Sequence, residues 1–160
     1  MTANRGGLYN GVNSVAFSPD SATLATAGSF GTVRLWNVAT HGQIGTPMTA
    51  SSGTAYSVAF SPDGKTLATA GDDGTVRLWN VATQQQIGAP IPASSRVNSV
   101  RFSPDGRTLA TAGSDGTARL WNVEFPDDLL KAVCDLAGRS LTRQEWNIDV
   151  QFEPFQQTCP

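Results

Sequence analysis

Three stretches of this chain are nearly the same. Residues 15–40 read VAFSPDSATLATAGSFGTVRLWNVAT and residues 58–83 read VAFSPDGKTLATAGDDGTVRLWNVAT, agreeing at 22 of 26 positions. Residues 100–125, VRFSPDGRTLATAGSDGTARLWNVEF, agree with the second copy at 20 of 26. Trp36, Trp79 and Trp121 mark the same point in each, 43 and 42 residues apart. A unit this short cannot bury an apolar face by itself, so the copies must stack on one another.

The second copy shows what a unit forms. Val58-Ala59-Phe60 is a strand that ends at Ser61-Pro62-Asp63-Gly64, a tight turn in which Gly supplies positive φ. Leu67 to Ala70 is a second strand, closed by Gly71-Asp72-Asp73-Gly74. Thr75 to Val81 is a third, with Val76 and Leu78 on one face and Arg77 and Trp79 on the other. Gln86 to Ile91 is an outer strand, whose Pro is tolerated on a free edge. Four short strands in a period of the low forties make a propeller blade. The expected fold is all-β: three four-stranded, or partly three-stranded, blades in an incomplete ring, with a short α-helical C-terminal tail. Its divisions are a lead-in over 1–11, blades over 12–126 and a tail over 127–160.

The strings F-S-P-D-G, L-A-T-A-G and D-G-T-V-R-L-W-N resemble the WD-repeat family across residues 12–123, about two-thirds of the chain. The resemblance implies a hydrogen-bonded network inside each blade, joining a turn Asp, a Ser or Thr of the second strand, the Trp and an earlier His. Thr69, Asp73 and Trp79 fill the first three roles, as do Thr111, Asp115 and Trp121; the first copy keeps Thr26 and Trp36 but carries Phe30 in place of Asp. No copy has the family's Gly-His, and Trp-Asp is Trp-Asn throughout. A thinner polar network then leaves each blade more dependent on packing against its neighbour.

Closed propellers usually have four to eight blades. Here two complete outer strands serve three copies, so both ends of the stack are expected to expose apolar sheet face. Either two chains pair into a closed ring, or the chain is the C-terminal piece of something longer.

The resemblance also places partner contacts on the loops of one ring face, at Asn13, Phe30, Tyr56, Asp72, Arg96, Asn98 and Ser114. The plainer reading of these positions is ordinary solvated turn. Phe30 and Tyr56 are the best anchors, because aromatic side chains dominate interface energetics, and Arg96 adds a charge. Arg34, Arg77 and Arg119 recur in the third strand and are expected to pair with the turn Asp or line a blade.

From Asp127 the period turns helical. Leu129, Leu130, Val133 and Leu136 share a face, Asp127 and Asp128 suit a helix start, and Gly138 suits a stop. Thr142 with Glu145 fits a capping box opening a second short helix through Trp146. The plainer role of the apolar stripe is to cap the last blade. The stretch C-x-x-A-G-R-x-L-T-x-x-E-W with a terminal Cys-Pro resembles the end of bacterial WD-repeat signalling proteins. In those, a nucleotide-switch NTPase, kinase or regulatory domain precedes the propeller.

Several function classes are disfavoured. Net charge is −2, which supplies no basic field for a phosphate backbone, so no nucleic-acid partner is expected. No run approaches the roughly 20 apolar residues of a membrane span, and the first residues lack a secretory signal's regions; the expected location is cytoplasmic. One His and two Cys cannot form a structural zinc set, and no phosphate loop or H-E-x-x-H occurs, so no catalytic, cofactor or metal site is expected. Cys134 and Cys159 are free buried thiols or a single tail bridge. The leading expectation is a non-catalytic protein–protein interaction scaffold, the C-terminal part of a bacterial signalling protein whose protein partner is unknown. Alternatives are a small oligomeric propeller lectin and an orphan fragment without independent function.

Overall fold

A computed structural model describes residues 11–123. The chain divides into two units, Met1–Val123 and Glu124–Pro160, and the described residues lie in the first. The expected helical tail over 127–160, with both cysteines, falls outside the described residues, as does most of the lead-in.

Among the described residues, eleven strands form three antiparallel meanders. Blade 1 is β1 (Val12–Phe17), β2 (Thr23–Gly28), β3 (Thr32–Asn37) and β4 (Gln43–Thr49). Blade 2 is β5 (Ala55–Phe60), β6 (Thr66–Gly71), β7 (Thr75–Asn80) and β8 (Gln86–Pro92). Blade 3 is β9 (Val97–Phe102), β10 (Thr108–Gly113) and β11 (Ala118–Asn122), three strands among the described residues. Each strand of the second copy lies where its alternation and turns place it. Pro47, Pro90 and Pro92 all lie on the outer strands, where a missing N–H costs no ladder bond. The one described helical turn, Ser29–Gly31, is 3₁₀, and no described helix is long and apolar enough to cross a membrane.

The core sits between blades. Strand pleating sends Leu67 of β6 toward blade 1 and its neighbours Ala68 and Ala70 toward blade 3. The first junction packs Ala25, Ala27, Val33, Leu35 and Met48 of blade 1 against Ala55, Val58, Leu67 and Trp79 of blade 2. The second repeats it one blade on: Ala68, Ala70, Val76 and Leu78 meet Val97, Val100, Leu109 and a partly buried Trp121. Small residues on one sheet thus face large ones on the next, which lets two flat faces close without voids. Each fully buried Leu or Val contributes about 1.5–3 kcal/mol relative to an exposed one.

Hydroxyl and amide side chains stitch the same junctions. Ser14 Oγ accepts from the Val58 N–H at 3.3 Å, and Ser57 Oγ from the Val100 N–H at 3.1 Å. The Gln84 amide brackets β4, donating to the Ile44 carbonyl at 2.9 Å and accepting from the Thr46 N–H at 3.2 Å.

The two ends of the stack differ from its interior. Val15 is 58% exposed, whereas the matching Val58 and Val100 are at 1% and 0%. Leu120 is 76% exposed, against 2% and 6% for Leu35 and Leu78.

The Ser-Pro-Asp turn explains itself locally. Ser18, Ser61 and Ser103 each donate Oγ–H to Asp20, Asp63 and Asp105 at 2.5 Å, and each Asp accepts the N–H two residues on. The next residue is left-handed: Gly64 and Gly106 at φ 74°, but Ser21 at φ 60° in blade 1. A left-handed L-residue costs about 1–2 kcal/mol, partly offset by the added chain entropy of Gly. Ser21→Gly is therefore expected to stabilise the chain by about 0.5–1 kcal/mol in urea unfolding.

Candidate functional site

In a meander, turns alternate between the two ends of each sheet. The β2–β3, β6–β7 and β10–β11 turns therefore share one end with the links from β4 to β5 and from β8 to β9. All seven candidate contact residues lie at this end.

Beneath the loops, each blade is braced by the same indole bond. The Trp36, Trp79 and Trp121 Nε1–H groups donate to Thr26, Thr69 and Thr111 Oγ1 at 3.0, 2.9 and 3.0 Å. The family resemblance groups Asp73 with Thr69 and Trp79, but the structure gives it other partners. Its Oδ2 accepts from Arg77 Nη1 at 2.8 Å and from the Ser52 N–H at 3.2 Å, while Oδ1 takes the Thr75 N–H and hydroxyl. Arg77 also donates to the Ala50 carbonyl at 2.6 Å, which ties the turn of blade 2 to the link leaving blade 1. Blade 3 repeats this clamp with Asp115, Arg119 and the Ala93 carbonyl. In both blades the strand arginine, and not the Thr–Trp pair, holds the turn Asp.

The clamps set the ionisation of both carboxylates. Burial pushes Asp73 up, but hydrogen bonds from Arg77, Thr75 and Ser52 outweigh it and hold the carboxyl below its ordinary value. Asp115 is held far below that range by the Thr117 hydroxyl and N–H and by Arg119. The blade 2 clamp is the better shielded, its Asp and Arg side chains being 12% and 17% exposed against 31% and 32% in blade 3.

Blade 1 has Phe30 where the clamp Asp belongs. Phe30 is 64% exposed and its backbone is left-handed, at φ 62° and ψ 25°. A bulky residue in that region is a genuine outlier, and such strain concentrates at binding and switch sites. Phe30 stands at the rim of a shallow depression of about 200 Å³ floored by Ser29, Ser52, Gly53 and Thr54. One blade further, a second depression of about 360 Å³ is lined by Asp72, Asp73, Pro92, Ser94, Ser95 and Arg96 among others. The Arg96 guanidinium lies 5.3 Å from the centre of the half-buried Tyr56 ring, within cation–π range.

The structure thus brings Tyr56, Arg96 and Asp72 to one neighbourhood and gives Phe30 a depression of its own. Asn13 is exposed but structural, its Nδ2 donating to the Ala55 carbonyl across the first junction at 3.1 Å. Asn98 and Ser114 are exposed and line neither depression. Ser51-Ser52 and Ser94-Ser95 were not singled out in the sequence. Their signal is the recurring Ala-Ser-Ser at 50–52 and 93–95, which follows each outer strand. Among the described residues no group of three or more His, Cys, Asp or Glu is arranged to hold a metal ion.

Stacked meanders of three or four strands, each braced by a Thr–Trp pair and two of them with a clamped loop at the same end, define an incomplete β-propeller. Residues 6–37, 43–80 and 86–122 match the family model of the WD domain, G-beta repeat. The chain belongs to the WD40 repeat family, whose members generally act as protein–protein interaction scaffolds. No curated protein matches it. Each of the last two matches begins in an outer strand and ends in a third strand, so one repeat spans two blades.

Two predictions follow from the braces. Thr69→Val buries the Trp79 N–H without an acceptor and is expected to cost about 1–3 kcal/mol, measured by urea unfolding. Both clamp carboxylates have folded pKa values below the unfolded value of about 4. Their stabilisation is therefore complete above that pH and is lost as pH falls through the folded values. The melting temperature should stay level from pH 7 to about 5 and drop below about 4, with Asp73→Asn making the drop smaller.

Proposed function

We propose that the chain is a non-catalytic scaffold that captures a protein segment on the loop end of blades 1 and 2, with Phe30 as the anchor. The observation that carries this is Phe30 itself. In blades 2 and 3 the position holds an Asp that clamps the loop, whereas blade 1 gives up the clamp and holds an exposed aromatic in a strained backbone beside a depression of small residues. The occupant best suited to that site is an extended peptide with an apolar side chain for the Phe30 rim and a charged group near Asp72 and Arg96. The tail's resemblance to bacterial signalling proteins supports a place as the C-terminal recognition arm of such a protein in the cytoplasm. Phe30 and Tyr56 occupy different positions in their blades, so neither repeats as one glycan site per blade would require, and the recurring Trp is bonded to Thr inside each blade.

Selection from a displayed peptide library tests the site. Selected peptides should bind Phe30→Ala at least about thirty-fold more weakly, and His41→Ala, in the β3–β4 loop at the opposite end, with unchanged affinity. Phe30→Asp restores the residue of the other copies and should raise the melting temperature while abolishing binding. Peptides indifferent to both Phe30 changes would overturn the assignment.

A further inference from the structure

The two bare ends of the stack are the two halves of a junction that the molecule already makes twice. At each observed junction an Ala-rich face, Ala25, Ala27, Val33 and Leu35 or Ala68, Ala70, Val76 and Leu78, receives a face built on Val58 and Leu67 or on Val100 and Leu109. Blade 3 presents the first kind of face outward through Ala110, Ala112, Ala118 and Leu120, with the alanines and Leu120 all exposed. Blade 1 presents the second kind through the exposed Val12, Val15 and Phe17, around a partly buried Leu24 and a buried Trp36. We infer that the blade 3 face of one copy packs on the blade 1 face of a second copy and vice versa, so that two chains close a ring of six blades.

Polar positions repeat in the same register. Ser14 and Ser57 accept the amide of the valine one blade on, and Ser99 is the third of that series, facing the Val15 amide of the second copy. Asn13 donates to the Ala55 carbonyl across the first junction, and Asn98 is its equivalent toward Val12 of the second copy. Blade 3 departs from the pattern at two places. Ala118 replaces the valine of Val33 and Val76, which leaves more room. Arg101 replaces Ala16 and Ala59, and its guanidinium is folded back onto the Ser57 hydroxyl and the Val100 carbonyl. A face that meets a different face on its partner must form either a closed ring or an open filament. Closure at two copies uses both exposed faces of both chains and leaves none bare.

Light scattering on the purified chain at micromolar concentration tests this, with a mass of twice 16.8 kDa expected. Val15→Asp and Leu120→Asp each place a charge in the junction and should weaken pairing by about a hundred-fold or more. Ala82→Asp, in the exposed β7–β8 loop, should leave the mass unchanged. Both junction residues are exposed in a single chain, so circular dichroism should show all variants folded. A single-chain mass for the unaltered protein overturns the proposal, and means that something other than a second copy covers these faces. Loss of pairing in Val15→Asp but not in Leu120→Asp also overturns it, since that is the mark of two blade 1 faces meeting. Open polymers longer than a pair overturn the closed ring.

Discussion

The structure depends on one contact, the meeting of an Ala-lined sheet face with a face of Val, Leu and Trp. The string Leu-Ala-Thr-Ala encodes both sides of it. Pleating sends Leu67 and Thr69 toward the preceding blade and Ala68 and Ala70 toward the following one. The small residues admit the Trp and Leu of the next blade, and the Thr hydroxyl satisfies the Trp N–H that this burial would otherwise strand. A sheet with two such faces has no stable existence alone, and the stack grows by adding copies.

The loops follow from that packing. Because the links from one blade to the next run over the junction, an arginine from the following blade reaches the Ala50 and Ala93 carbonyls and brings the turn aspartate with it. The Asp–Arg pairs are therefore braces between blades as well as within them. Blade 1 has no aspartate at the turn, and there the loop is free to present Phe30. In the proposed function, stability and recognition compete at this single position of the repeat, as is common where a site departs from its structural consensus.

Much of this was legible in the sequence. Period-two alternation and the Asp-Gly turns place the strands of blade 2, and Val76 with Leu78 face opposite Trp79 as the pattern requires. Arg77 and Arg119 pair with the turn aspartates of their blades, one of the two roles their recurrence implied. What was hidden lies between repeats. The Ser14 and Ser57 hydroxyls look like solvated strand residues until the next blade brings an amide to them. Tyr56 and Arg96 are 40 residues apart and meet only because β5 and β9 are neighbours. The left-handed backbone of Phe30 has no local signal, since the adjacent Gly31 takes positive φ as its type allows and nothing in Gly-Ser-Phe-Gly demands it of the aromatic as well.

Native-state hydrogen exchange tests most directly whether junctions, and not individual sheets, hold the fold. The Leu120→Asp variant, designed to block the proposed pairing, is the form to use. Blade 2 has both faces covered, so amides of β5, β6 and β7 should exchange slowest and only by global unfolding. Those of β1–β3 and β9–β11 should open at lower free energy, each end independently. Equal protection across all three blades would contradict the account, because end blades covered on one face would then open no more easily than blade 2.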